Sequence, residues 1–589
     1  AMKNRANWLL AVFPLVFLLV LLVAPALRLL VEGGQLPLWA PLQDSYLRWR
    51  LAWSFLQATL TCVLALGLGL PVAWVLARFE FAGRAFVLHA LMLPFVVPTL
   101  VAAMGVLALV GPQGVITAWG GPDLQGSPWL LIYGNLFFNL CLVVRAATEA
   151  LAQVSASRVA AARTLGATPW RVFWRIEWPA IAPWLMSALC LVFLYCFSGF
   201  GLALVLGGQE YATVEVEIYT LVAHELQLAQ AGSLALWMLV MTGVVALAYA
   251  AIERRLATPS RADAVQRCRP RGLHQWAGVW GALAVLLLVC GAPLLAIVWR
   301  VAAAGGGAWG VLLDDATLAA LWNSLRFTAL AVALATGLGL AHALAARQSL
   351  LLRTLVFLPF VVSPVMVAFG LLLLYPQWTA SFGLLVCAYA LLAYPFVAKS
   401  LAGALDSMPA HLAQAARTLG ATPWHVFRRI TLPLLRPALR RGMAFAAATA
   451  VGEFAVTLFL SRPEWTTLTT LIYQRLSRPG AANLDAALIL ACLLMTLALL
   501  MAVWQMCHYA AVTVQILFAT RTLGLSEHAV GLCYMGMGVG TISGSVMMPS
   551  VALLPRNAPP RANASAASVA QVVAMAVAET ATISEFIVA

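Results

Sequence analysis

The decapeptide AARTLGATPW occupies residues 161–170 and occurs again, unchanged, at residues 415–424. Each copy is polar and carries an arginine, yet each lies between long apolar stretches of the chain. Hydrophobic residues make up 63% of the 589-residue sequence and charged residues 10%, whereas a soluble domain has roughly a quarter of its residues charged. Because this chain cannot cover itself with a water-facing surface, we predict a membrane protein.

Apolar runs long enough to cross a bilayer occur along the chain in two sets of six. One helical crossing needs about 20 apolar residues, and helices are expected because lipid offers the backbone no hydrogen-bond partner. The runs are too continuous for the alternating pattern of a membrane β-barrel. The sequence therefore predicts an all-α, polytopic membrane protein with about twelve transmembrane helices. The predicted spans lie at about residues 8–30, 51–77, 85–110, 129–149, 183–207, 231–252, 274–302, 320–345, 354–375, 381–398, 441–460 and 487–510.

The first of these runs follows Lys3 and Arg5, as the core of a secretory signal would. It is longer than the apolar core of such a signal, so we expect an uncleaved first span. The ten cysteines include no CxxC pair, which favours small apolar residues over metal ligands or a disulfide framework. We therefore predict no metal site in this chain.

Positive charge is concentrated in loops on one side of the predicted spans. The loops at 150–182 and 399–441, which contain the two decapeptides, are rich in arginine, whereas the loops at 111–128 and 207–230 contain no Lys or Arg. Cytoplasmic loops of membrane proteins carry the excess of Lys and Arg. We therefore expect both decapeptides and the N-terminus to lie in the cytoplasm.

Two arginines depart from this distribution, because Arg48 and Arg50 precede the second span on the outer side. The net charge of +14 is otherwise accounted for by topology and by contact with lipid headgroups of the bilayer. We predict no nucleic-acid partner.

The internal repeat extends well beyond ten residues. Identical residues recur at a spacing of 254, and farther upstream LPFVV recurs at a spacing of 265 and GLGL at a spacing of 270. Two copies of six spans in the same orientation form a parallel repeat, related by an axis along the membrane normal. We therefore expect a permeation path between the two halves. The pairs at a spacing of 254 are Gly166 and Gly420, Ile176 and Ile430, Pro179 and Pro433, Phe200 and Phe454, Ile218 and Ile472, and Tyr219 and Tyr473.

The decapeptide predicts a helix, a glycine turn and a second helix. Ala161, Ala162 and Arg163 favour a helix, and Gly166 is a typical helix end. The threonine and Pro169 that follow form a typical helix start.

The second short helix is expected to end before Pro179. It places Trp170, Phe173 and Ile176 on one face, with arginines on another. That face either packs under the protein's own spans or docks a partner, and its duplication favours a two-fold partner. The corresponding residues of the second copy are Ala415, Ala416, Arg417, Gly420, Pro423, Trp424, Phe427, Ile430 and Pro433.

Both stretches resemble the EAA loop of permease subunits of binding-protein-dependent ABC importers. The family pattern is Glu-Ala-Ala, three residues, Gly, nine residues, Ile, any residue and Leu-Pro; here it reads AAARTLGATPWRVFWRIEWP at 160–179 and QAARTLGATPWHVFRRITLP at 414–433. Ala160 and Gln414 replace the acidic first residue, so any ionic contact made by that acid is missing. The resemblance implies a fold like that of type I ABC importer permeases, with a coupling helix in each loop that sits in a groove of a separate ATPase.

The sequence is consistent with a separate ATPase. A Walker A loop requires the pattern GxxxxGK[ST], but the chain has two lysines, Lys3 and Lys399, and neither follows a glycine. We therefore predict a transport subunit that is not an enzyme and has no cofactor of its own. The resemblance implies two copies of a cytoplasmic ATPase that bind ATP and Mg²⁺, a periplasmic binding protein, and a place in the bacterial inner membrane.

Within the fused two-half permeases of this family, five short stretches resemble the group that transports thiamine or thiamine pyrophosphate. The ferric-iron group is the next most similar. The predicted function is import of thiamine or its phosphate esters, with ferric-iron import or a secondary transporter as alternatives. The five stretches are LQDSYLRW at 42–49, GPQGVITAW at 111–119, NLFFNL at 135–140, RIEWP at 175–179 and ATVEVEIYTLV at 212–222.

Glu453 is the candidate substrate contact, because an ionisable group inside a predicted span is costly and indicates function. Thiamine is a cationic heteroaromatic compound, so acidic and aromatic side chains between the halves would be suited to bind it. Alternatively, Glu453 only braces the pore, since GEF looks like a feature shared by several importer groups; its counterpart in the first half is Gly199. Glu215 and Glu217, in an outer loop, either contact a docked binding protein or are solvated, and we expect them to be solvated.

The predicted domains are a first permease half at 1–252, a basic cytoplasmic linker at 253–273 and a second half at 274–510. The EAA-like loops lie at 150–182 and 401–440 within these halves.

The tail at 511–589 does not fit this plan. Residues 516–548 resemble a fragment of a major facilitator transporter, and residues 556–589 are rich in Ala and Ser. The apolar run at 531–554 is either an extra span or an artefact of a fused reading frame, and the remainder is expected to be disordered or a weak amphipathic helix.

Overall fold

A computed structural model of the chain describes residues 2–91, 93–256, 267–347, 349–356, 358–379, 381–408, 410–460 and 462–500. Within these residues the regular structure is helical, and the β pairing is limited to an isolated bridge between Phe79 and Cys268. The predicted all-α, polytopic fold is confirmed. The tail at 511–589, with its possible span at 531–554, lies outside the described residues.

Ten helices in this described part are long and apolar enough to cross a membrane. They correspond to ten of the twelve predicted spans. The other two predicted spans, at 354–375 and 441–460, correspond to interrupted helices. The ten are Leu10–Gly33, Ser45–Arg78, Thr99–Ala118, Pro128–Ala152, Pro169–Phe197, Leu228–Ile252, Leu273–Ala303, Asp315–Ala346, Phe382–Ser407 and Ala481–Leu500.

The third apolar run of each half is broken at the same place. In the first half Leu93–Val96 is followed by Thr99–Val110, and in the second half Leu358–Val361 is followed by Pro364–Leu374. Val97 and Pro98 separate the first pair; Val362 and Ser363 separate the second pair, and Pro364 begins the helix that follows. A proline lacks the N–H that a helix interior needs, and it disfavours helical backbone in the preceding residue.

The fifth apolar run of each half is also broken. Trp178–Phe197 is separated from Phe200–Leu206 by the extended Gly199, and Leu432–Val451 is separated from Ala455–Leu460 by a short turn. Non-helical backbone at membrane depth is tolerated where it is buried in protein or lines a path. The breaks in both halves therefore mark the interior of the protein.

Four helices in the described ranges continue past a proline by widening into a π-turn. In each case the π-turn ends two residues before the proline, as in Leu19–Val23 followed by Pro25. A proline ring would collide with the carbonyl four residues earlier in an α-helix, and a π-turn displaces that carbonyl. The others are Phe173–Glu177 before Pro179, Leu287–Gly291 before Pro293, and Phe427–Thr431 before Pro433.

The first span of each half packs against the opposite half. Ala24–Gly33 contacts Pro364–Leu374 of the second half, and Ala292–Ala303 contacts Thr99–Val110 of the first half. These two contacts are equivalent under the internal repeat. The exchange interlocks the two halves.

The chain divides into two compact units. One contains Ala1–Asp406 and Ala438–Ala502, which includes the first decapeptide. In the other, the described residues belong to Ser407–Pro437, which contains the second decapeptide.

Candidate coupling loops and transport path

Both decapeptides form the predicted glycine turn after a short helix. The helices are Ala156–Thr164 and Ala410–Thr418, and the turns contain Gly166 with φ of 78° and Gly420 with φ of 85°. In each turn the residue after the glycine donates its N–H to the carbonyl five residues earlier, at 3.0 Å. Because residues with a Cβ atom rarely adopt this left-handed backbone conformation, both turns depend on glycine.

A threonine caps the second short helix in both loops. The hydroxyl of Thr168 accepts a hydrogen bond from the N–H of Arg171 at 3.4 Å, and that of Thr422 accepts one from the N–H of His425 at 3.3 Å. A proline takes the first helical position in each loop, where its missing N–H costs nothing. The capped helices are Pro169–Val172 and Pro423–Val426.

The prediction that the second helix ends before Pro179 is wrong. Pro169–Val172 continues through the π-turn Phe173–Glu177 into Trp178–Phe197, where the N–H of Trp178 donates to the carbonyl of Phe173. The same continuity occurs before Pro433 in the second copy. The π-turn admits the proline, so each short helix is joined without a break to the next span.

Large apolar side chains are exposed on both loops. Trp170 is 70% exposed and Trp424 is 64% exposed, while Leu165 and Leu419 are each 87% exposed. Each lies close in sequence to an arginine. Both loops therefore present the same mixture of apolar and basic groups.

Trp170, Phe173 and Ile176, predicted to share one helix face, differ in their exposure to solvent. Trp170 is exposed, but Phe173 and Ile176 are half-buried and Val172 is fully buried. The other predicted residues are also either exposed or half-buried. Exposed are Ala161, Arg163, Gly166, Pro169, Pro179, Ala415, Arg417, Gly420 and Pro423; half-buried are Ala162, Ala416, Phe427, Ile430 and Pro433.

An ion pair that the sequence did not predict fixes the first loop to the second span. Arg78, at the end of Ser45–Arg78, pairs with Glu177 in the π-turn Phe173–Glu177. Glu177 is buried, so removing Arg78 would leave a buried charge without its partner.

Five aromatic residues meet where the broken helices of the two halves come together. Phe200 stacks on Phe454 with ring centroids 5.8 Å apart, and Tyr219 meets Phe459 at 5.1 Å. Tyr473 meets Phe454 at 5.4 Å, and Phe200 meets Tyr219 at 5.6 Å. We call Phe200, Tyr219, Phe454, Phe459 and Tyr473 the aromatic cluster. Its members come from both halves, so the cluster lies at the junction between them.

Glu453 precedes Phe454 of this cluster in the sequence, but its carboxylate is hydrogen-bonded to the backbone. Its carboxylate accepts a hydrogen bond from the N–H of Val456 at 3.0 Å and so caps Ala455–Leu460. Its carbonyl accepts a hydrogen bond from the hydroxyl of Thr469 at 2.9 Å. This geometry favours the bracing interpretation of Glu453, and a substrate contact stays a prediction.

Glu215 and Glu217 are not solvated, contrary to our expectation. They belong to the helix Val214–Thr220, whose first N–H donates to the hydroxyl of Ser54 in the second span at 2.8 Å. Glu215 is fully buried and Glu217 nearly so. The prediction failed because the loop predicted at 207–230 folds into the protein instead of remaining on the surface.

Glu217 accounts for one of the two discordant arginines. Arg50 is buried and pairs with Glu217, with 3.3 Å between Arg50 Nε and Glu217 Oε2. Its guanidinium also donates to the carbonyls of Gln209 and Glu210 at 2.6 and 2.8 Å. Arg50 therefore holds the outer segment in place, whereas Arg48 is exposed.

Comparison with known proteins gives two matches along the chain to one family model. The model describes the inner membrane component of binding-protein-dependent transport systems and matches residues 65–258 and 331–509. The chain belongs to this family. The predicted resemblance is confirmed, and the two matches fall in the two halves of the repeat.

Two thiamine permeases are similar to this chain along both halves, and a sulfate permease is similar to about a third of it. The chain is 28% identical to the thiamine transport system permease protein ThiP of Escherichia coli strain K12 over 480 residues, which are 77% of this chain and 89% of that protein. It is 27% identical to ThiP of Haemophilus influenzae, over 80% of this chain and 90% of that protein. The sulfate transport system permease protein CysW of Synechocystis is 31% identical over 35% of this chain and 76% of that protein.

This family membership establishes the class of the protein. It is a multi-pass inner-membrane permease of an ABC importer, a class whose permease subunits are not themselves enzymes. Permeases of this kind work with a substrate-binding protein and an ABC ATPase.

Proposed function

We propose that this permease imports thiamine or its phosphate esters, delivered by a periplasmic binding protein. The observation that carries the proposal is the similarity to thiamine permeases through both halves. The sulfate permease, by contrast, covers about a third of the chain. Five stretches of the sequence that resemble thiamine permeases, such as residues 212–222, also support this substrate.

In this proposal the two loops couple transport to ATP hydrolysis. Each loop docks one copy of a cytoplasmic ATPase, and ATP with Mg²⁺ binds to those two partner subunits. Exposed Trp170 and Leu165, and their equivalents Trp424 and Leu419, support docking because large apolar side chains grouped beside basic residues mark interaction surfaces.

The helix that follows each turn supplies a mechanical connection. Pro169–Val172 and Pro423–Val426 run through π-turns into Trp178–Phe197 and Leu432–Val451. A displacement of either docked helix would therefore be transmitted to a helix that ends at the broken segment near the aromatic cluster. This continuity links the predicted coupling residues to the proposed path.

The proposal places both loops and the N-terminus in the cytoplasm. The distribution of arginine between the loops supports this orientation. The buried pair of Arg50 and Glu217 removes one of the two exceptions, because Arg50 is held by protein contacts and is not a surface charge.

Reconstitution tests the proposal. The permease, its ATPase and its binding protein are placed in proteoliposomes, and ATP hydrolysis and uptake of labelled thiamine or ferric iron are measured together. We expect the thiamine-loaded binding protein to stimulate hydrolysis and thiamine to accumulate. Accumulation of iron without thiamine would identify a ferric-iron importer, and uptake driven by an ion gradient without the ATPase would identify a secondary transporter. Vesicles with an ATPase that cannot hydrolyse ATP are the control.

A further inference from the structure

Glu215 is a buried acid without an evident structural role. Its side chain is fully buried, and neither carboxylate oxygen makes a hydrogen bond to the described residues. The hydroxyl of Ser363, from the second half, is close enough to lower the pKa of this carboxyl group. That hydroxyl also accepts a hydrogen bond from the N–H of Met366 at 3.1 Å, which leaves its own O–H to donate.

The fold does not require a carboxyl group at this position. The equivalent residue of the second half, 254 positions later, is Thr469. Its hydroxyl donates to the carbonyl of Glu453, so a small neutral side chain satisfies the site there. A buried carboxyl group without partners is costly, and its presence in one half therefore calls for a functional explanation.

Glu215 shares a helix with Tyr219 of the aromatic cluster. It precedes Tyr219 by four residues in the helix Val214–Thr220, so both side chains lie on one face of that helix. Tyr219 contacts Phe200 of its own half and Phe459 of the other half. One helix therefore carries both the carboxyl group and a ring that reaches the junction of the two halves.

We propose that Glu215 and the aromatic cluster form a site in the transport path for an organic cation with an aromatic ring. The site rests on the proposed function, because thiamine has this chemistry. A cation attracted to ring faces and to a carboxylate in a low-dielectric environment gains from both contacts. Glu215 fits this role better than Glu453, whose carboxylate caps a helix.

The closed arrangement of the rings suggests how the site would be used. Phe200 and Phe454 stack directly on each other across the halves. When the halves separate, these ring faces lose their partner and become available to the substrate ring. The arriving cation favours the ionised form of Glu215, and the carboxyl proton passes to water that enters with the substrate.

The test is the number of thiamine molecules imported per ATP hydrolysed in the reconstituted complex. Glu215→Gln keeps the shape of the side chain but cannot carry charge, and we expect it to lower this ratio about tenfold. Glu215→Asp retains the charge and should restore part of the ratio. Glu210→Gln, which changes an exposed acid of the same outer segment, is the matched control.

The aromatic part of the site is tested with a second pair of variants. Tyr219→Leu removes the ring, whereas Tyr219→Phe keeps its face and removes the hydroxyl. We expect the import ratio of the Phe variant to exceed that of the Leu variant.

Two outcomes would overturn the proposed site: an unchanged ratio in Glu215→Gln, whether or not uptake and hydrolysis fall together, or an Asp variant no better than Gln. In each of these cases the wild-type complex still imports thiamine, so the proposed function stands. Absence of thiamine import by the wild type would reject the proposed function itself.

Discussion

Gly105 lies against the backbone of Pro293, so that a Cβ atom on Gly105 would be 2.8 Å from the carbonyl oxygen of Pro293. The repeat produces the same contact a second time, because a Cβ on Gly370 would be 2.8 Å from Cβ of Pro25. Each glycine belongs to the third apolar segment of one half, and each proline to the first span of the other half. The interlocking of the two halves therefore depends on two close approaches to glycine.

Gly105→Ala should destabilise the permease, because its Cβ meets backbone that cannot move without displacing a helix. Overpacking of this kind costs about 1–3 kcal/mol, which would lower the melting temperature of the purified protein. Gly67→Ala is the control, since Gly67 is also helical but has open space around its Cβ position. Equal melting temperatures for the two variants would contradict the packing of the first spans.

The glycine turns of the two loops provide a test of coupling. Gly166→Val and Gly420→Val force a β-branched residue into left-handed backbone, at a cost of about 1–2 kcal/mol. If the turn sets the angle of the docking helix, this strain should reduce the hydrolysis stimulated by the binding protein. A free-energy cost of about 1–2 kcal/mol corresponds to a reduction of roughly 5- to 30-fold.

Gly126→Val is the matched control for this experiment. Gly126 has φ of 75° and open space around it, as Gly166 does, but it lies in the predicted outer loop at 111–128. We expect Gly126→Val to carry a similar strain and to leave the stimulation largely intact. Stimulation that survives in both loop variants would show that the turns do not couple ATP hydrolysis to transport.

The buried pair of Arg50 and Glu217 predicts a strongly non-additive pair of mutations. Arg50→Met alone leaves the Glu217 carboxylate buried without its counter-ion, which costs about 3–5 kcal/mol. Combining it with Glu217→Gln removes the second charge and should recover much of the lost stability. Thermal unfolding of both single variants and the double variant measures the coupling, and additive losses would show that the pair is not a single unit.

Features that depend on neighbouring residues could be predicted from the sequence. The turn at Gly166 and the cap at Thr168 follow local rules, so two identical decapeptides fold alike in both copies. Ten spans were also identified, because apolar length is a property of one segment. The exception is Pro179, where the predicted stop failed because a π-turn accommodates the ring.

Features that depend on distant contacts could not be predicted in this way. Apolar composition alone does not show that a run is broken, as happens at Gly199, because both pieces remain apolar. The burial of Glu215 and Arg50 likewise depends on an outer segment folding against the second span. In the sequence both residues have the pattern of solvated loop charges, and no local signal distinguishes them.

The buried Glu215 also predicts how stability depends on pH. The pKa of Glu215 is raised from 4.5 to about 8, because the raising effect of burial exceeds the lowering effect of the Ser363 hydroxyl. Between these values the native state holds a proton that the unfolded chain has released, so stability falls as pH rises through this range. Glu215→Gln has no proton to lose, and its melting temperature relative to wild type should therefore rise from pH 5 to pH 8.5. Burial also raises the pKa of Glu217, but Glu217 is present in both proteins and its contribution cancels in the difference. A difference that is constant with pH would show that Glu215 is ionised in the native state throughout this range.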